Sequence, residues 1–176
     1  MLIKTIFAGF GGQGVLSMGL NLAQAALLEG KNVTYLPSYG AEVRGGTANC
    51  TVAISDEEIA SPVASSPDFV VAMNQPSLVR FQNQVHSGGV LLFNSSLVEA
   101  QISRGDIEIV AVPANSVAEE LGSPRSANMV MLGTFIKKSN LVSLSTLIEA
   151  LGNTLKKKER LAAINKKALV AGYDLF

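Results

Sequence analysis

The stretch Gly9-Phe-Gly11-Gly12-Gln13-Gly14 constrains this chain more than any other. It satisfies G-x-G-x-x-G and separates two segments of different period. Before it, Lys4-Thr-Ile-Phe-Ala8 is a short β-rich run, read as a buried strand that ends at Gly9. After it, Val15, Met18, Leu22, Ala25 and Ala26 recur at helical spacing until Gly30, which predicts a helix over 15–29. Strand, glycine loop and helix in that order can present a turn to an anion. On this reading Gly9 permits the tight turn, Gly11 lets main chain approach a ligand, and Gly14 lets the helix lie close on the strand. The helix start adds unpaired N–H groups and a positive dipole end. Gly9, Gly11, Gly12, Gln13 and Gly14 are therefore candidate residues for holding an anion or touching a partner chain.

The alternation continues along the chain. Strands are expected at 32–36 (broken by Pro37), 47–55, 68–73, 89–93 and 106–112, and helices at 76–84, 116–121, 125–137, 145–157 and 159–171. Strands alternating with helices predict an α/β layered sheet, mostly parallel. Thr47–Ser55 follows its predecessor with no helix between them, so the expectation there is antiparallel pairing and a mixed sheet. The helix over 125–137 is apolar on nearly every side, which suits burial between the sheet and a partner subunit.

Composition sets the outer limits. The chain has 176 residues, 48% of them hydrophobic, enough to build one domain over 1–176 that ends in helices over 139–176. The longest apolar runs, such as Val90–Phe93, are strand-sized and far short of the roughly 20 residues of a spanning helix, so no membrane is expected. The start, MLIKTIFAGFGGQG, runs straight into the glycine motif, and the expected setting is cytoplasmic. Only 16% of residues are charged, which points to a surface partly covered by another chain.

The net charge of zero hides an asymmetry. Residues 1–136 hold 6 basic and 11 acidic side chains, and residues 137–176 hold 8 basic and 3 acidic. The tract of Lys137, Lys138, Lys156, Lys157, Lys158, Arg160, Lys166 and Lys167 is either the solvated face of two helices or a surface for an anionic ligand or acidic partner. Nucleic acid is not an expected partner, because the chain as a whole is neutral and no aromatics interleave the lysines.

A dinucleotide site would need more than glycines. It calls for an Asp or Glu about 20 residues on, at the end of the second strand. No acid lies between Glu29 and Glu42, and that strand ends in Leu36-Pro37-Ser38. A structural turn or docking loop is favoured over classical NAD binding, with an unidentified phosphate ligand between them.

A second cluster, Ser38-Tyr39-Gly40-Ala41-Glu42-Val43-Arg44-Gly45-Gly46, follows that strand. Its place after a strand's carboxyl end puts it beside the first loop, where open α/β sheets bind ligands. Arg44 could fork onto a carboxylate or phosphate, or Glu42 and Arg44 could pair with each other or with a neighbouring subunit. Ser38, Tyr39, Gly40, Glu42, Arg44, Gly45 and Gly46 form the second candidate set.

The motifs FAGFGGQGV and PSYG-x-E-x-RGGTANC together resemble the gamma subunit of 2-oxoacid:ferredoxin oxidoreductases, most closely the 2-oxoglutarate and related 2-ketoacid type. The resemblance runs on through SSPDFVVAMNQPSL, GGVLLFNSSLV and AxxLGSPRSANMVMLGTF, covering residues 3–136. One departure is Ala41, where the pattern has proline. The resemblance implies a Rossmann-like three-layer α/β/α fold with a mostly parallel sheet. It implies an assembly that converts a 2-oxoacid and coenzyme A to acyl-CoA and carbon dioxide, reducing ferredoxin. Thiamine diphosphate, magnesium and iron–sulfur clusters would sit on the alpha, beta and ferredoxin-like delta subunits. This chain would bind no cofactor by itself and would not be active alone.

The residues agree that the chemistry lies elsewhere. A four-iron cluster needs four thiolates, and Cys50 is the only cysteine, placed in a strand as a small core residue. His86 is the only histidine; it has no carboxylate near it in sequence, which favours a surface or capping role over catalysis. No H-E-x-x-H, G-x-S-x-G or Walker motif occurs. No catalytic residue and no metal ligand is expected. Asn74 and Asn94 each follow an apolar strand, where they could meet a ligand or cap a turn. Arg125 and Asn128, at the opening of the next helix, could face a partner or phosphate, or cap.

Overall fold

A computed structural model describes residues 1–39 and 47–176. Six strands form one sheet in the order β2-β3-β1-β4-β5-β6. They are β1 (Leu2–Phe10), β2 (Asn32–Tyr39), β3 (Thr47–Ser55), β4 (Phe69–Ala72), β5 (Val90–Asn94) and β6 (Glu108–Val112). β1, β4, β5 and β6 pair parallel, whereas β3 pairs antiparallel with both β1 and β2. The mixed sheet thus has the one reversed strand expected at Thr47–Ser55. Five strands, β2 included, end at one edge.

β4 and β5 read as unbroken apolar runs because both of their faces are covered. On one face Phe7, Val71 and Leu92 pack under α1 (Val15–Leu28) and α4 (Ala127–Ser139), with α3 (Ala114–Glu120), α5 (Leu144–Thr154) and α6 (Glu159–Tyr173) completing that layer. Phe135 meets Phe7 and Phe69 edge-on at 5.3 and 5.4 Å. On the other face Ile6, Val70 and Leu91 lie under Leu78 and Phe81 of α2 (Gln75–Phe81).

Three expectations are corrected. Pro37 does not break β2, which runs on to Tyr39 with Pro37 opposite Cys50. β2 is an edge strand, where a missing N–H can go unused. α2 starts one residue early, at Gln75, because Asn74 caps it by accepting from the Ser77 N–H at 2.9 Å. α4 is buried all round without a partner subunit, because α6 of the same chain covers it. The two helices approach until a Cβ on Gly133 would meet the Leu169 carbonyl oxygen and one on Gly172 would meet that of Val130. The Thr134 hydroxyl donates to the Gly172 carbonyl at 2.7 Å across this contact.

Among the described residues no helix is long and apolar enough to cross a membrane.

Candidate functional site at the carboxyl edge of the sheet

The glycine loop lies at the edge where the five co-directional strands end. Its glycines divide the work differently from the sequence expectation. Gly9 is inside β1, not in the turn, and is the point of close approach: a Cβ there would lie 2.7 Å from Gln13 Oε1 and 3.0 Å from Met73 Cβ. The turn itself belongs to Gly12 (φ 97°) and Gly14 (φ 75°), backbone that L side chains rarely adopt. Gly14 is close to the Asn128 amide of α4, not to a strand. It is Gly19, one turn into α1, that lets the helix settle on Cys50 and Val52 of β3.

Gln13 folds back and ties the loop down. Its Oε1 accepts from the Phe10 N–H at 2.7 Å and from Asn74 Nδ2 at 2.9 Å, while its Nε2 donates to the Met73 carbonyl at 3.3 Å. Asn128 Nδ2 donates to the Gly14 carbonyl at 3.3 Å, which fixes the start of α4 beside the loop. Asn94 donates to Asn115 Oδ1 at 2.7 Å and accepts from the Ser96 N–H. Asn74 and Asn94 therefore cap and join turns. Asn115, in α3 just after the end of β6, joins the same edge as Asn74, which follows β4, and Asn94, the last residue of β5; its sequence setting after Pro113 and Ala114 gives no sign of this.

Between these struts lies an open cleft of about 370 Å³, bordered by Gly12, Gln13, Met73, Asn115, Arg125 and Asn128. Gly11 and Gly12 are exposed. Arg125, in the turn over Pro124–Ser126 that precedes α4, is exposed and has no hydrogen bond or ion pair among the described residues. The cleft thus offers a guanidinium, amide groups and bare main chain, which suit an anion or a partner backbone.

Of the second candidate set, Ser38 and Tyr39 are described, and register places them at the same edge. Tyr39 stands opposite Ala48, and Thr47, where the chain re-enters the sheet, stands opposite Phe10. Ser38 is exposed and opposite Asn49. Gly40, Glu42, Arg44, Gly45 and Gly46 lie outside the described residues. The described end of β2 carries no carboxylate for a ribose.

Among the described residues neither a thiolate nor a carboxylate or imidazole base lines the cleft. Cys50 is fully buried in β3, and burial pushes its thiol up to about 12. Among the described residues no three His, Cys, Asp or Glu side chains converge on a metal position. His86 does have a carboxylate, contrary to the sequence expectation: its Nε2 lies 2.9 Å from Asp68 Oδ1. Parallel pairing of β4 with β5 brings together residues 18 apart in the chain. This pair sits at the opposite, amino edge, where Asp68 Oδ2 also accepts from the Lys4 N–H at 2.7 Å. The Ser87 carbonyl, and after it Asp68, holds the imidazole pKa above its usual value.

This is a Rossmann-like three-layer α/β protein with a glycine loop on the carboxyl edge of a mixed sheet. The chain belongs to the pyruvate ferredoxin/flavodoxin oxidoreductase family, matching it over residues 4–175. It is 44% identical over 174 residues to the ketoisovalerate oxidoreductase subunit VorA of Methanothermobacter thermautotrophicus, covering 98% of this chain and 36% of that one. The chain therefore spans about a third of that relative's length. The gamma subunit of a keto/oxoacid ferredoxin oxidoreductase from Geobacter sulfurreducens superimposes with a TM-score of 0.84 at 29% identity, covering 98% of this chain and 96% of that one. The 2-oxoglutarate:ferredoxin oxidoreductase of Magnetococcus marinus, solved with 2-oxoglutarate, coenzyme A and succinyl-CoA bound, gives 0.90 at 27% identity, covering 99% of this chain and 31% of that one.

Proposed function

We propose that this chain is the gamma subunit of a cytoplasmic, thiamine diphosphate-dependent 2-oxoacid:ferredoxin oxidoreductase, acting as one unit over 1–176. In this reading the assembly oxidatively decarboxylates a 2-oxoacid with coenzyme A, giving acyl-CoA, carbon dioxide and reduced ferredoxin. Thiamine diphosphate, magnesium and the iron–sulfur clusters belong to the alpha, beta and delta subunits. The relatives include ketoisovalerate and 2-oxoglutarate enzymes, so the reading extends to the 2-oxoacid class.

The observation that carries the proposal is the make-up of the cleft. Exposed main chain at Gly12, with Gly11 next to it in the loop, stands beside the unpaired Arg125, with no thiolate or base among the cleft's described lining residues. Such an edge can orient an anionic ligand or a partner backbone. Coenzyme A supplies the thiol that takes up the acyl group. The residues suit its phosphates: Arg125 can fork onto one, and the loop lets main-chain N–H groups come close. The Gln13 and Asn128 struts hold that loop still. Gly9, Gly14 and the 38–46 segment are assigned to the same contact edge.

The test is reconstitution. The chain is co-expressed with the oxidoreductase subunits encoded beside it, and 2-oxoacid- and CoA-dependent viologen reduction is assayed with and without it. Activity is expected only when it is present; undiminished activity in its absence would end the proposal.

A further inference from the structure

We propose that the basic turn joining α5 to α6 is a docking surface for a protein partner that presents acidic side chains around an apolar one. The proposal deepens the subunit reading above and rests on it.

The surface comprises Lys156, Lys157, Lys158 and Arg160, with Leu161 and Ile164 beside them. Lys157 to Leu161 and Ile164 border an open depression of about 460 Å³. All four cations are exposed, and Leu161 is 41% exposed. None of the four has an ion pair or hydrogen bond from its side chain among the described residues. Lys31 and Lys138, in contrast, are paired within the chain, to Asp56 and Glu108. Glu159, between Lys158 and Arg160, borders the same depression but forms no ion pair with them among the described residues, so four cations against one carboxylate leave an excess of positive charge that an acidic partner relieves.

The fold decides where this charge stands. α4 begins at the carboxyl edge, where Asn128 holds Gly14, and ends at the amino edge, where Lys138 reaches Glu108 at 3.0 Å. α6 runs alongside it in the same sense. Ser126, before α4, donates to Asn165 of α6 at 3.3 Å, and Gly172 lies against Val130 and Thr134. Glu159 precedes Asn165 by six residues, about 9 Å of helix axis. The basic turn therefore projects at the same edge as Arg125 and the glycine loop and extends that edge as a positively charged flank.

The chemistry favours a protein over a small phosphate ligand or nucleic acid. The depression is shallow and open, and lysines rather than arginine forks dominate it, which suits long-range attraction more than bidentate phosphate capture. Leu161 gives an apolar contact that a phosphate would not use. Residues 155–164 contain no aromatic side chain on which a base could stack.

The test compares the wild-type chain with K156E/K157E/K158E/R160E, after circular dichroism has shown both folded. In the co-expressed oxidoreductase, association kinetics are measured at low and high salt. The variant is expected to associate about tenfold more slowly, and to lose the salt dependence of the wild type. Equal rates with equal salt dependence would overturn the proposal. A second arm uses the chain alone with three probes: a glutamate-rich peptide carrying leucines, pyrophosphate, and duplex DNA. Peptide binding that the variant loses supports the proposal even where the subunit reading fails. Preference for pyrophosphate or DNA, or no binding at all, overturns it.

Discussion

Gly12 at the carboxyl edge and Gly133 and Gly172 in the α4–α6 contact favour glycine for opposite reasons. A Cβ on Gly12 would meet nothing within 4 Å, yet its φ of 97° penalises any L side chain. At Gly172 no such backbone penalty arises, but a Cβ would overlap the Val130 carbonyl, which is fixed in its own helix. Gly12 has room for volume and resists a change of backbone; Gly172 has ordinary backbone and tolerates no volume; Gly14, left-handed and against the Asn128 amide, is constrained both ways. An edge that meets other molecules can afford empty space, whereas two helices sealing a core cannot.

The largest effect is therefore expected at the buried contact. Gly172→Val must separate α4 from α6 and disturb the Thr134 bond to the Gly172 carbonyl. A loss of about 3 kcal/mol or more is expected, as for severe overpacking. Urea unfolding followed by circular dichroism measures it; a variant as stable as the wild type would mean the helices are not in that contact.

At the edge the corresponding weak point is Gln13, not a glycine. Gln13→Ala leaves the Phe10 N–H and the Asn74 amide without their acceptor. It should cost about 1–3 kcal/mol, the range for a part-buried polar group left unsatisfied. A double-mutant cycle with Asn74→Ala should show coupling of about 0.5 kcal/mol or more, since the two side chains share a bond. Strict additivity would show that the strut bears no load. Gly12→Ala should come next, at about 1 kcal/mol of backbone strain, read from the same urea unfolding.

The two regions also differ in how far sequence could reveal them. The glycine loop was legible because a motif between a strand and a helix has few other uses. The reversed β3 was legible from the missing helix before it. The roles of individual glycines were not: Gly9 and Gly14 exchange tasks because Gly14 meets Asn128, 114 residues away. Gly133 and Gly172 gave no signal, since a lone glycine in a helix reads only as a weak former until its neighbour is known. The apolar girth of α4 was visible, but not that α6 would cover it. Pro37 misled because a proline ends a central strand but not an edge strand. His86 seemed unpartnered for the same reason that Gly14 was misread: Asp68 is distant in sequence and adjacent in the sheet.

That histidine gives the smallest predicted effect and a control for the others, because it lies at the edge away from the cleft. The Ser87 carbonyl, then Asp68, raises its pKa above the ordinary 6.5. A raised value means the folded state binds the proton more tightly than the unfolded one. The extra stability is therefore fully present below pH 6.5 and disappears as the pH climbs through the folded-state value. The imidazole is 40% exposed, so solvent screening limits the gain to a few tenths of a kcal/mol. Urea midpoints at pH 5.5 and pH 8 should show the wild type losing this increment relative to His86→Gln, which has no proton to bind there. Subunit association, read at the other edge, should be the same for both proteins at either pH. A pH-dependent difference in association would mean that the two edges of the sheet are coupled.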